Sequence, residues 1–126
     1  MVETRKIAII EDEPAICEMY RFKLDKSGFN VFTAVNGEAG LKLCEEQKPD
    51  LILLDLKMPV MTGEEMLKRL RKTSWGADIR VVILTNISKD EAPHTLRLLN
   101  VDRYIVKAHY TPAQVVDVVH EILKLN

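Results

Sequence analysis

Five short apolar runs recur along the chain, at intervals that a helix would fill: KIAII (6–10), FNVFTAV (29–35), LILLD (51–55), RVVILT (80–85) and DRYIVK (102–107). The first, third and fourth are nearly unbroken, as strands covered on both faces should be. The second alternates more, which suits a strand near a sheet edge. Between the runs the apolar positions change to helical spacing. Ile16, Met19, Tyr20 and Leu24 share one side of a helix, with Pro14 suited to its first turn and Gly28 to its stop. Residues 37–47 and 64–73 predict two more helices, the latter placing Met66, Leu67 and Leu70 together. Thr111-Pro112-Ala113-Gln114 is a capping box, followed by the core stripe Val115, Val118, Val119 and Ile122.

The fourth helix is less regular. Ser88-Lys89-Asp90-Glu91 also has the capping-box form, but Pro93 would then lie too deep and remove an interior hydrogen bond. Either that helix begins nearer 90–92 or its first turn is distorted. Asn100 can take the left-handed conformation that ends it. Five strand–helix alternations, with no repeat, linker or low-complexity stretch, predict an α/β fold: a parallel sheet with five helices distributed over both faces.

Composition narrows the class. The 126 residues make one domain's worth, residues 1–126, and 47% apolar with 29% charged is the balance of a globular protein with a core. A net charge of −1 gives no basic field to recruit nucleic acid or anionic lipid. The apolar runs are too short to span a bilayer, and Met1–Lys6 lacks the apolar stretch of a signal peptide. Cys17 and Cys44 fall on separate helices without metal-like spacing and read as small core residues in a reducing compartment, so a cytoplasmic location is expected. His94, His109 and His120 share no ligand spacing, and Trp75 falls in a loop as a partly exposed packing residue.

Chemistry in parallel sheets gathers at the carboxyl ends of the strands. There this chain has Glu11-Asp12, Asp55, Thr85 and Lys107, and only Asn36 after the second strand. Three converging carboxylates would hold protons unless a cation joined them. Hard oxygen donors, with a backbone carbonyl from the loop after Asp55, suit Mg²⁺. An ionised Asp55 can attack phosphorus to give an acyl phosphate. Lys107 offers a point charge and Thr85 a hydroxyl to the phosphoryl oxygens. Each residue has a plainer explanation: Glu11 or Asp12 at a helix start, Asp55 opening a turn, Thr85 as a strand former, Lys107 as a solvated strand end. It is their coincidence at one edge of four strands that points to a site.

IIEDEP, LILLDLKMPVMTG, VVILT and DRYIVK, in that order and over nearly the whole chain, resemble a response-regulator receiver domain, the phospho-acceptor module of two-component signalling. The resemblance implies the flavodoxin-like strand order 2-1-3-4-5, as in the family's chemotaxis member. It implies that Asp55 takes a phosphoryl group from a phosphohistidine on a sensor kinase. Asp12, Asp55 and the carbonyl of Lys57 would hold Mg²⁺ directly, and Glu11 through water. Thr85 and Lys107 would hold the phosphoryl oxygens. Thr85 and Tyr104 would form a switch pair, the ring swinging inward; a buried strand tyrosine that never moves is the alternative. Output to an effector would use the face of the fourth helix, fifth strand and fifth helix, and a phosphorylation-dependent dimer is compatible with it. The module would be a switch with only a weak phosphotransfer activity of its own, either free-standing or part of a longer protein.

Three departures from the family pattern matter. Lys107-Ala108 stands where Lys-Pro with a cis bond is frequent, which predicts a trans bond and an altered loop before Thr111. Asn86 follows Thr85 where a smaller residue is common, narrowing access. Lys57 and Ile87, two positions after Asp55 and Thr85, can gate attacking water, and aliphatic Ile87 predicts a long-lived phosphoryl state. Met58-Pro59 matches the loop beside the metal, and Gly63 suits a tight turn. Other readings are a non-phosphorylated docking or dimerisation scaffold and a flavin or nucleotide binder. The last is disfavoured by Glu11-Asp12-Glu13 after the first strand. A phosphatase with an aspartyl nucleophile on the first strand lacks DxD spacing.

Overall fold

The computed structural model describes residues 4–125; the rest of the polar amino-terminal segment and Asn126 lie outside them. The strands are β1 (Lys6–Ile10), β2 (Asn30–Ala34), β3 (Leu51–Leu54), β4 (Arg80–Thr85) and β5 (Arg103–Val106). All pair in parallel in the order β2-β1-β3-β4-β5, so the doubly wound sheet has the predicted order. Past Lys6 and Arg80 at their starts, the central strands are buried, and alternate residues feed opposite faces. Ile9, Leu53 and Val82 meet α1 (Pro14–Lys26) and α4 (Pro112–Ile122) on one side. Ile10, Leu54 and Ile83 meet α2 (Gly37–Gln47) and α3 (Gly63–Arg71) on the other. Edge strand β2 is half exposed, as its alternation predicted.

Local signals set most helix ends. Thr111 and Gln114 make both bonds of the capping box on α4. Asn36 and Thr62 cap α2 and α3 by accepting the Ala39 and Glu65 N–H groups. Gly28, at φ +95°, turns the chain out of α1. Cys17 and Cys44 are free and buried, and burial pushes the Cys44 thiol up to about 12.

The expected fourth helix is not an α-helix among the described residues, so four of the five expected helices form. Residues 88–99 form instead two 3₁₀ turns, Lys89–Glu91 and His94–Leu98. The cause is Pro93. It lacks the N–H that would bond Lys89, and it disfavours helical geometry in the preceding residue. Ala92 is accordingly extended, at ψ 148°. Asn100 does take the left-handed conformation, at φ +53°. The described peptide bonds are all trans, Lys107-Ala108 included, and Lys107–His109 form a 3₁₀ turn ahead of Thr111.

Arg71, the last residue of α3, closes the opposite edge of the sheet. Its guanidinium donates to the carbonyls of Gly76 (3.0 Å), Ala77 (3.2 Å), Ile79 (2.8 Å), Leu99 (2.8 Å) and Asn100 (2.8 Å). Trp75 packs half-buried beside this loop, with the Lys48 ammonium 5.6 Å from its ring centre.

Gly63 begins α3 hard against the strand it follows, and an added Cβ would run into the Asp55 carbonyl oxygen. Its requirement is space rather than an unusual dihedral. Gly63→Ala is expected to cost about 2 kcal/mol or more, since backbone rather than a side chain must give way; urea unfolding measures it. Alkylation of Cys44 at neutral pH should follow unfolding only.

Candidate functional site at the carboxyl ends of the strands

Sheet register brings the candidate residues together. Ile10 pairs with Leu54, so Glu11 and Asp55 leave their strands side by side. Thr85 pairs with Val106, so Lys107 leaves β5 one step beyond. Glu11, Asp55 and Thr85 are nearly inaccessible, at 3%, 6% and 1% exposure, so their polar atoms must be matched locally. Lys107 does most of this. Its ammonium donates to Asp55 Oδ2 at 3.1 Å and to Glu11 Oε1. Backbone supplies the rest: Lys57 N–H to Asp55 Oδ1 at 3.3 Å and Glu13 N–H to Glu11 Oε2 at 3.2 Å.

The electrostatics follow from burial. Desolvation pulls the Lys107 pKa down, but the Glu11 hydrogen bond and the Asp55 charge outweigh it and the net shift is upward, so the ammonium stays charged. Desolvation pushes the Glu11 carboxyl up, against the pull of Lys107 and the Glu13 amide. Asp12 is half exposed and offers a carboxylate oxygen to the same space. One oxygen each from Glu11, Asp12 and Asp55 lies within 4.8 Å of the others. Three hard oxygens this close, open to solvent on the Asp12 side, fit Mg²⁺ rather than a soft metal.

The loop after β3 shapes the rim. Met61 N–H bonds Pro59 C=O at 2.7 Å, closing a three-residue turn with Val60 at φ +68°. A β-branched residue there is strained by about 1–3 kcal/mol. The strain is held by its neighbours: Met58 and Met61 are buried, Met61 C=O accepts Gly37 N–H at 3.0 Å, and Leu56 C=O accepts Gly63 N–H at 3.0 Å. Sequence reasoning did not single out Val60, because propensity argues against that conformation. Nor did it single out the partner of Tyr104, whose hydroxyl donates to Ile87 C=O at 2.6 Å with the ring half-buried on the α2–α3 side of the core. Burial, aided by the charges of Asp55 and Glu91, raises the Tyr104 pKa. Ile87 packs against the same core, its N–H 3.5 Å from Thr85 Oγ, while Asn86 is exposed.

A flavodoxin-like sheet with a lysine-bridged carboxylate cluster at its strand ends defines a class of α/β domain built around a cation and an anionic group. Residues 7–120 match the model of the response regulator receiver domain, and the chain belongs to that family. It is 37% identical over 122 residues to the alkaline phosphatase synthesis transcriptional regulatory protein PhoP of Bacillus subtilis, covering 95% of this chain and 49% of that protein. It is 32% identical over 120 residues to the phosphate regulon transcriptional regulatory protein PhoB of Escherichia coli, covering 95% and 52%. The chain thus spans about half the length of these curated relatives. Among solved structures, the chemotaxis protein CheY4 of Vibrio cholerae superposes with a TM-score of 0.87 at 25% identity, over 94% of this chain and 98% of that one. The response regulator TrrA of Thermotoga maritima, in complex with Mg²⁺ and beryllofluoride, superposes at 0.82 and 29% identity, over 94% and 98%.

Replacing Lys107 by Met leaves two buried carboxylates without their cation. Its stability without metal should fall by about 3 kcal/mol, and Mg²⁺ should then raise its melting temperature more than it raises that of the unaltered protein. Thermal unfolding with and without MgCl₂ checks both.

Proposed function

We propose that the chain acts as one receiver unit in which Asp55 accepts a phosphoryl group from a phosphohistidine on a partner kinase. The observation that carries this reading is the Lys107 ammonium bridging Glu11 and Asp55 at the strand ends, with Asp12 beside them. An Asp55 oxygen attacks phosphorus, the P–N bond breaks, and the imidazole leaves with a proton from solvent. Held by Asp12, Asp55 and the Lys57 carbonyl, with Glu11 reaching it through water, Mg²⁺ would supply positive charge against the phosphoryl oxygens. Lys107 then exchanges its bond to Asp55 for one to a phosphoryl oxygen, and the Thr85 hydroxyl donates to another. Such an acceptor speeds its own modification only modestly, by orientation and charge, and its product is a signal.

Thr85 and Tyr104 couple that event to an effector protein or domain through the surface of residues 88–99, β5 and α4. The chain itself contacts neither DNA nor membrane in this reading: no described helix is long and apolar enough to cross a bilayer, and the net charge is −1. The free, buried thiols support a cytoplasmic setting.

Incubation with a small phosphoryl donor and Mg²⁺ should add one phosphoryl mass to the intact protein and none to Asp55→Asn. An unmodified mass would favour a docking scaffold. Ile87 lies two residues past Thr85 and is half-buried. Ile87→Glu should therefore shorten the phosphoryl lifetime by about a hundredfold, the low end of general-base effects; a decay rate equal to that of the unaltered protein would remove the water-excluding role.

A further inference from the structure

The loop from Asp55 to Gly63 carries the acceptor carboxylate and, in the phospho-acceptor reading, the Lys57 carbonyl that meets Mg²⁺. Most of its backbone bonds are internal. Leu56 C=O takes Gly63 N–H, Pro59 C=O takes Met61 N–H, and Lys57 N–H turns back to Asp55 Oδ1. At its start, Asp55 N–H is held by Ile10 C=O of β1 at 3.1 Å. Further along, the outside hold comes from Gly37, the first residue of α2, whose N–H donates to Met61 C=O at 3.0 Å.

Gly37 is buried, and a Cβ added there would lie 2.6 Å from the Met61 carbonyl oxygen and 2.9 Å from Met61 Cγ. What this glycine supplies is space for another backbone. A side chain could swing aside, but a carbonyl oxygen moves only with its peptide. Met61 closes the turn around Val60, which is already strained at φ +68°, so the turn has little freedom left to absorb a push. Displacement would pass along the loop to Lys57. Asn36 serves the same contact from the other side: its side chain accepts Ala39 N–H at 2.8 Å and sets the first turn of α2.

We propose that Gly37 is a positioning residue for the Mg²⁺ site: it lets the start of α2 abut the Met61 carbonyl, and so fixes where the loop presents the carbonyl of Lys57. The inference rests on the metal ligands of the phospho-acceptor reading. Mg²⁺ demands near-ideal octahedral geometry at short distances, whereas Ca²⁺ accepts longer and more flexible coordination. A misplaced carbonyl therefore costs Mg²⁺ more than Ca²⁺, which a mere loss of packing would not do.

Gly37→Ala should weaken Mg²⁺ binding by about tenfold or more, as for other groups that orient a metal's ligands. It should weaken Ca²⁺ binding less, so the ratio of the two affinities falls. Titration of the amide resonances of residues 55–63 with MgCl₂ and with CaCl₂, followed by NMR, measures both. Gly76→Ala is the control. Its Cβ would also meet a backbone carbonyl oxygen, that of Leu70 at 2.7 Å, but at the opposite edge of the sheet. It should lower the melting temperature and leave both affinities unchanged. Where Gly37→Ala does not fold, Asn36→Ala carries the test, because it loosens the start of α2 without adding a clash; the ratio should fall in the same sense. A folded Gly37→Ala protein, or Asn36→Ala in its place, that keeps the ratio of the unaltered protein overturns the inference and leaves the phospho-acceptor reading intact. So does a ratio that falls as far in Gly76→Ala, since the effect then follows lost stability. An unaltered protein that binds no Mg²⁺ overturns both.

Discussion

One ammonium group makes the rim of this sheet tenable. Parallel strands that end side by side deliver Glu11 and Asp55 into the same space, where two buried negative charges would repel and each would lack water. Lys107 arrives from β5, two strands away from β3, and bonds to both. The cluster therefore depends on sheet order: were β5 not at the far side of β4, no cation would reach the carboxylates. The same ammonium takes one oxygen of each, and the second oxygen of each accepts only a single backbone N–H, beside a solvent-facing Asp12. A site that is neutralised on one side and open on the other is prepared for a divalent ion and then an anion.

The loop after β3 shows how the fold supports this arrangement. The chain must leave the sheet at Asp55, turn, and return as α3 within eight residues, so Gly63 comes to lie against the Asp55 backbone. The turn strains Val60, and the burial of Met58 and Met61 on either side of it offsets the strain. Met61 also ties the loop to the start of α2 through Gly37. Packing energy from the core is thus spent on fixing the position of one carboxylate.

The segment after β4 is built the opposite way. It is two short 3₁₀ turns, with Leu98 exposed and the Arg71 bonds gathered at its carboxyl end. Low local stability is the usual property of elements that move. Its neighbour on β5, Tyr104, is already turned toward the core and bonded to Ile87. The expected switch residue thus has its ring on the core side and its hydroxyl engaged on a backbone carbonyl. What this adds is a hydrogen-bonded link between β5 and the amino end of the segment.

The strands, the alternation, the capping of α4 and the gathering of Glu11, Asp12, Asp55, Thr85 and Lys107 at one edge were legible in the sequence. Each follows from a local period or cap, and from the rule that right-handed crossovers align strand ends. Pro93 was legible as a disturbance, though the sequence left two outcomes open. Pro93 and the extended Ala92 before it break the helix into two 3₁₀ turns, while Leu96 burial and the Arg71 bonds, which are tertiary, fix where the second turn ends. The same holds for the left-handed Val60, the space around Gly63 and the hydroxyl of Tyr104. Local propensity opposes the first and is silent on the others. Packing of the loop on Gly37 fixes the first, the return of α3 against the Asp55 backbone the second, and the Ile87 carbonyl the third.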